Sequence, residues 1–278
     1  MKNILSIIVL LIFTESVYAD TFYVGGKQLN IPSPNGFSPV TEQMDAVYRL
    51  SLQMAADPMS DQLAYYIPES EIPVAMAGEI PLHLQRFFYL KVDKKLKDTV
   101  LGSKEFAEFK SVIKRQNTEI LKLVESKISN VLKETSNRVS KELDVNLALQ
   151  LSQMVPLDPH YETDNAIAYS MYLNGGVEVE GEKEDIIVSG TVTIVNVAGK
   201  ILLLVCGGPQ EDLEWTRNAS KAWADSVMAS NSEPPARSPG GRGMDWNRVI
   251  EKGIVGAITV GLMALIFGVF SRFKKKKG

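Results

Sequence analysis

The segment Asp158-Pro159-His160-Tyr161-Glu162-Thr163-Asp164 is the densest run of chemistry-bearing side chains in the sequence. Asp158, His160, Glu162 and Asp164 alternate by two, so an extended strand turns all four to one side, where an imidazole and three carboxylates suit a divalent cation. The same set would serve a hydrolase or a metal-dependent enzyme built on His160, Asp158 and Asp164. Pro156 and Pro159 argue the other way. They favour a loop over a strand, and a solvated acidic loop needs no metal. The four residues therefore stand as candidate metal ligands, and no catalytic residue or cofactor is assigned.

Other reactive residues point to packing. His83, the other of two histidines, lies in EIPLHLQRFF and reads as a sheet-face residue. Cys206 is the single cysteine and sits in KILLLVCGG, where apolar neighbours raise the thiol pKa and hide the sulfur. One thiol makes no internal disulfide, so the fold depends on its core. Gly207-Gly208 follow a strand, but the Gly-Lys-Ser/Thr of a phosphate loop is missing and acidic residues come next, which excludes nucleotide binding. No GxSxG turn presents a nucleophile.

The ends carry the clearest signals. Lys2, the apolar stretch from Ile4 to Phe13 and Val17-Tyr18-Ala19 predict a signal peptide over 1–19, cut after Ala19. From Gly253 to Ser271 nineteen positions hold no charge, about the length of one membrane crossing. Arg272 and Lys274 to Lys277 follow at once, as a basic tail over 272–278. Basic flanks stay on the cytoplasmic side and meet anionic lipid, so one span is expected with the domain outside. This predicts a bacterial inner-membrane protein with a periplasmic domain and a cytoplasmic C-terminus. Gly253, Ala257, Gly261, Ala264 and Gly268 form a stripe of small residues that favours self-association or a partner helix.

Without Lys2, Glu15 and the basic tail, 24 basic residues face 32 acidic ones. An acidic exported part repels phosphate backbones, and nucleic acid is not an expected partner. Some 210 residues suffice for a proper core.

The elements that must position these residues follow from periodicity. TFYVGGKQLNI reads as a hairpin turning at Gly25-Gly26, and Ser38 reads as the cap of a helix carrying Met44, Val47, Tyr48, Leu52 and Ala55 on one face. LAYYIP and LQRFFYLKV read as strands. Between Ser103 and Leu143 apolar residues recur at three and four, giving one long amphipathic helix or two in line. From Leu147 a strand meander follows, with turns expected at Asn174-Gly175-Gly176 and Ala198-Gly199. Asp212 is expected to cap a closing helix whose Trp215, Ala219, Ala222 and Trp223 pack on a sheet. Residues 231–252 read as a Pro/Gly/Ser-rich linker.

Runs of strands with helices between them predict an α+β fold over 20–230, an antiparallel sheet with helices packed on it. The order of N-terminal hairpin, IPSPNGF, central meander, and GKILLLVCGG followed by DLEWTRNASKAWADSV resembles the PsbP-like α/β sandwich and bacterial envelope proteins built the same way. That resemblance implies a binding or accessory role. Two functions remain open: a non-enzymatic, membrane-anchored accessory or binding module, and a membrane-anchored hydrolase or metal-dependent enzyme. The enzyme predicts a pocket at His160 with two carboxylates converging on it, whereas the module predicts those groups splayed and an apolar groove elsewhere.

Overall fold

The computed structural model describes residues 19–56, 60–81 and 84–232, with the helical backbone alone at 55 and 116–127. His83, most of the signal segment, the linker beyond Ser232, and the apolar run with its small-residue stripe lie outside the described residues. The strands are β1 (Ala19–Val24), β2 (Lys27–Pro32), β3 (Phe37–Pro39), β4 (Ser60–Pro68), β5 (Phe87–Asp93), β6 (Leu147–Pro156), β7 (Tyr161–Thr163), β8 (Ala166–Val179), β9 (Glu182–Val197) and β10 (Lys200–Pro209). The α-helices are α1 (Asp45–Ala55), α2 (Ile72–Met76), α3 (Ser103–Leu143) and α4 (Leu213–Ala229).

Three tight turns fix the registers. Gly25-Gly26, Glu180-Gly181 and Ala198-Gly199 all have positive φ at both positions, the geometry of a type I′ turn, whose twist matches that of paired strands. They join β1 to β2, β8 to β9 and β9 to β10. The hairpin β1–β2 stands apart from an eight-stranded sheet of order β3-β4-β5-β10-β9-β8-β6, with β7 added on β8. Every pairing is antiparallel. The class is therefore α+β, an antiparallel sheet with helices packed on both faces.

Period two explains the layers. On β10, Ile201, Leu203 and Val205 face one side with α1 and α3, while Leu202, Leu204 and Cys206 face the other with α4 and the hairpin. A central strand covered on both faces reads as a continuous apolar run, as KILLLVC does. Cys206 is fully buried and burial pushes its thiol well up. Gly207 is required by its neighbour, since a Cβ there would come within 2.3 Å of the Phe87 ring.

Residues 103–143 form one helix, α3, about 60 Å long at 1.5 Å per residue. It also covers the outer edge of the sheet. Ser136 Oγ accepts the N–H of Leu149 at 2.9 Å, and Ser140 Oγ accepts that of Leu147 at 3.0 Å. Edge donors of β6 that would otherwise recruit another strand are thereby occupied.

Four local expectations differ. Ser38 is not a cap: it pairs with Ile67 in a short edge strand, held because Phe37 packs edge-on against Phe88 at 4.7 Å, and α1 starts only at Asp45. The buried face of α1 is Met44, Val47, Leu50 and Met54, leaving Leu52 42% exposed. Asn174-Gly175-Gly176 is no turn: these residues pair on both sides, with β6 and β9, opposite the point where β6 shifts register between Leu151 and Gln153. The extra residue of a bulge bends the sheet there, and glycine accommodates it. Asp212 precedes α4 but makes no side-chain cap, because its carboxylate takes a bidentate pair from Arg86 at 2.6 and 2.8 Å.

Candidate functional site

A buried polar assembly lies between α4 and the sheet, and hydroxyls build it. Ser189, Thr191 and Thr193 alternate along β9, and Thr216 and Ser220 are four apart on α4; all five are buried. Two residues of strand advance about 6.8 Å and four of helix about 6 Å, so the two rows match. Thr191 meets Thr216 at 3.0 Å and Thr193 meets Ser220 at 2.7 Å. Ser189 Oγ donates to the Pro209 carbonyl at 2.7 Å.

The row continues to His160. Ser170 Oγ, on β8, lies 2.8 Å from Thr191 Oγ1 and 3.4 Å from His160 Nδ1. It also accepts Arg217 Nε at 3.3 Å, and Arg217 is held by Glu214 at 2.9 Å. One proton per hydroxyl fixes the order of donation. Thr216 gives its proton to the Leu213 carbonyl at 2.8 Å, so Thr191 donates to Thr216 and Ser170 donates to Thr191. Ser170 then has only lone pairs to offer His160, so Nδ1 carries the hydrogen. A histidine that donates to a serine is not placed to remove that serine's proton, and Ser170 is 1% exposed. Burial lowers the His160 pKa, the Arg217 charge lowers it further, and Glu214 works against both. Its Nε2 is buried with no hydrogen-bond partner, which fits a neutral ring with that nitrogen bare.

The four candidate ligands do not converge. β7 begins only at Tyr161, so the alternation expected from Asp158 onward is broken at Pro159. His160 turns to Ser170 under α4, while Glu162 turns to α3, where Lys114 holds it at 2.9 and 3.1 Å and Lys110 at 3.3 Å. The Lys114 hydrogen bond, with help from Lys110, keeps the Glu162 carboxyl below the ordinary range. Lys110 also donates to the Thr163 carbonyl. Between them Tyr161 donates to Asp225 at 2.6 Å, and Lys221 pairs with the same carboxylate at 2.7 Å. Asp158 and Asp164 are exposed. Among the described residues no three His, Cys, Asp or Glu side chains are grouped to hold a metal ion. DPHYETD is a clamp joining β8 to α3 on one face and to α4 on the other.

Trp215 and Trp223 pack on the sheet as expected, whereas Ala222, expected on the same face, is exposed and Ala224 takes its place in the core. Phe88 lies 5.8 Å from Trp215 and 5.3 Å from Trp223, and Trp223 Nε1 donates to the Pro32 carbonyl at 2.8 Å. A shallow open cleft of about 550 Å³ lies at the end of α3, bordered by Asn137, Lys141, Asp144, Asn146 and Glu180. Its lining is mostly polar, with Val145 and Leu147 the apolar members, unlike the apolar groove expected of a binding module.

Fold and site together define an α+β protein whose buried polar groups tie helices to a sheet. No family model matches the chain, and no curated protein matches it. Among solved structures the chain is similar to the solution structure of cyanobacterial PsbP (CyanoP) from Synechocystis sp. PCC 6803, at 10% identity and a TM-score of 0.27, covering 78% of this chain and 94% of that one. At that TM-score the two backbones do not superpose closely, and the class stated here rests on this chain's own sheet.

The hydroxyl rows were missed in the sequence. Ser189, Thr191 and Thr193 at spacing two, and Thr216 and Ser220 at spacing four, are legible once β9 and α4 are known to be neighbours. Among the described residues no helix is long and apolar enough to cross a membrane, and 253–271 lies outside them.

Proposed function

We propose that this protein is a membrane-anchored envelope protein whose exported domain serves as an accessory or binding module and is not an enzyme. The anchoring part rests on the nineteen uncharged positions from Gly253 to Ser271 and the basic residues directly behind them. The signal-like N-terminus and the positive tail support a periplasmic domain on a bacterial inner-membrane protein. The order of elements in the sequence supports a PsbP-like sandwich for this domain.

One observation carries the choice of binding over catalysis. Of the candidate groups, Asp158 and Asp164 stand exposed, and the others are committed to joining elements: His160 donates toward Ser170 and Glu162 is held by two lysines of α3, while Tyr161 between them is bonded to Asp225 of α4. Each is a packing contact between elements, not a free group in a concave site.

The reading is tested by crosslinking the full chain in its own membranes, beside a variant with 253–271 exchanged for polyleucine and a second with His160→Gln. A module gives discrete partners that survive His160→Gln; partners lost only with polyleucine assign recognition to the helix stripe. The appearance of no partner together with a hydrolytic activity abolished by His160→Gln would overturn it.

A further inference from the structure

Charge is divided along the strand axis. At one end lie the Gly25-Gly26 turn, the loop after β5 and the Ala198-Gly199 turn, joined where the Lys200 ammonium donates to the carbonyls of Lys97 at 2.8 Å and Thr99 at 3.2 Å and where the Leu101 N–H meets the Gly199 carbonyl at 2.8 Å. Lys27, Lys94, Lys95, Lys97 and Lys104 reach the surface there, against the acids Asp61, Asp98, Glu105 and, on the turn between β7 and β8, Asp164. Lys94 and Lys97 approach Asp61 at 3.5 and 3.2 Å and remain more than 40% exposed. The other end carries Glu69, Glu71, Glu79 and Glu211, and its arginines are already paired, Arg86 with Asp212 and Arg217 with Glu214.

Two further features fall at the lysine end. Tyr23, 71% exposed, is the most exposed large apolar residue described and stands beside the Gly25-Gly26 turn. The chain also leaves the fold here. α4 runs from the acidic end to the lysine end, and Asn231 is then fixed on β2: its side chain accepts the Asn30 N–H at 2.9 Å and donates to the Asn30 carbonyl at 2.6 Å. Asn30 is three residues along β2 from Lys27. In the sequence only residues 233–252 separate this end from the uncharged run that begins at Gly253.

We propose that the lysine end, with Tyr23 as its interfacial aromatic, docks the domain on an anionic phospholipid surface. The inference rests on the membrane-anchored reading. A tether alone leaves the domain free to tumble. Surface lysines attracted to anionic headgroups, with a tyrosine whose ring suits the interface, fix one orientation and hold the acidic end outward. Each loop lysine not offset by a neighbouring acid shifts the docked-to-undocked ratio by about fivefold at low salt.

The test uses the full chain in vesicles of phosphatidylcholine, with or without anionic phosphatidylglycerol. A dye is placed on Gln28→Cys or on Glu211→Cys, Cys206 being too buried to label, and is read by quenching from a headgroup-labelled lipid. Docking predicts quenching at position 28 that is stronger on anionic vesicles, falls with salt, disappears in Lys94→Gln/Lys95→Gln/Lys97→Gln and persists with arginine at those three positions. Equal quenching on both lipids, or stronger quenching at 211, overturns it. Should the glutamine variant unfold, the salt titration of the unaltered lysines decides the same point. Insertion is read separately by resistance to alkaline extraction: a chain that is extracted yet shows lipid-dependent quenching defeats the anchor alone, and one that inserts without it defeats the docking alone.

Discussion

His160 concentrates what a residue can and cannot do in this protein. Burial and Arg217 hold its pKa below the ordinary value of 6.5. The ring is therefore neutral in the fold and takes up a proton more readily in the unfolded chain. A depressed pKa gives stability that is complete above the unfolded value and lost as pH falls through the folded one. Thermal melts of the wild type and His160→Gln should accordingly converge as pH drops from 7 toward 5; a constant gap would mean the ring is not sensed as described. Gly207 makes a second prediction, because the Phe87 ring occupies the place of its Cβ. Gly207→Ala should cost about 1–3 kcal/mol in chemical unfolding, and an unchanged midpoint would refute the packing. The sequence marked both residues, but for other reasons. Alternation by two placed His160 with Glu162 because nothing in DPHYETD shows that β7 starts after Pro159, or that α3 and α4 lie on opposite faces with their own lysines and hydroxyls.

At the scale of elements, α4 is seated by hydroxyls as much as by apolar contact. Thr193 and Ser220 meet at 2.7 Å with both side chains fully buried. A double-mutant cycle of Thr193→Val and Ser220→Ala should show each single change costing about 1–3 kcal/mol and the pair much less than the sum, because removing both leaves no orphaned hydroxyl. Strict additivity would mean the contact carries no energy. Periodicity revealed most elements, the 41-residue α3 among them, because long amphipathic patterns survive any context. The failures were local signals overruled by pairing. Ser38 and Pro39 look like a helix start, yet β4 takes them as an edge strand, and Asn174-Gly175-Gly176 looks like a turn, yet β6 and β9 hold it straight on either side.

For the whole molecule, the fold gives a sheet covered on both faces, one edge occupied by the serines of α3, and an exit at Asn231 on the lysine-bearing end. The class was legible because antiparallel meanders with interposed helices admit few arrangements. The hydroxyl rows and the polarity of charge were not, since both arise from residues far apart in sequence that the topology brings side by side. The proposed anchoring of an exported domain by 253–271 is tested by protease shaving of spheroplasts carrying the full chain with a reporter after Gly278. The claim predicts that the chain stays with alkaline-washed membranes, that added protease digests the domain, and that a small fragment bearing the reporter is protected. Recovery of the intact chain in the soluble fraction, or a domain protected while the reporter is cut away, would contradict it.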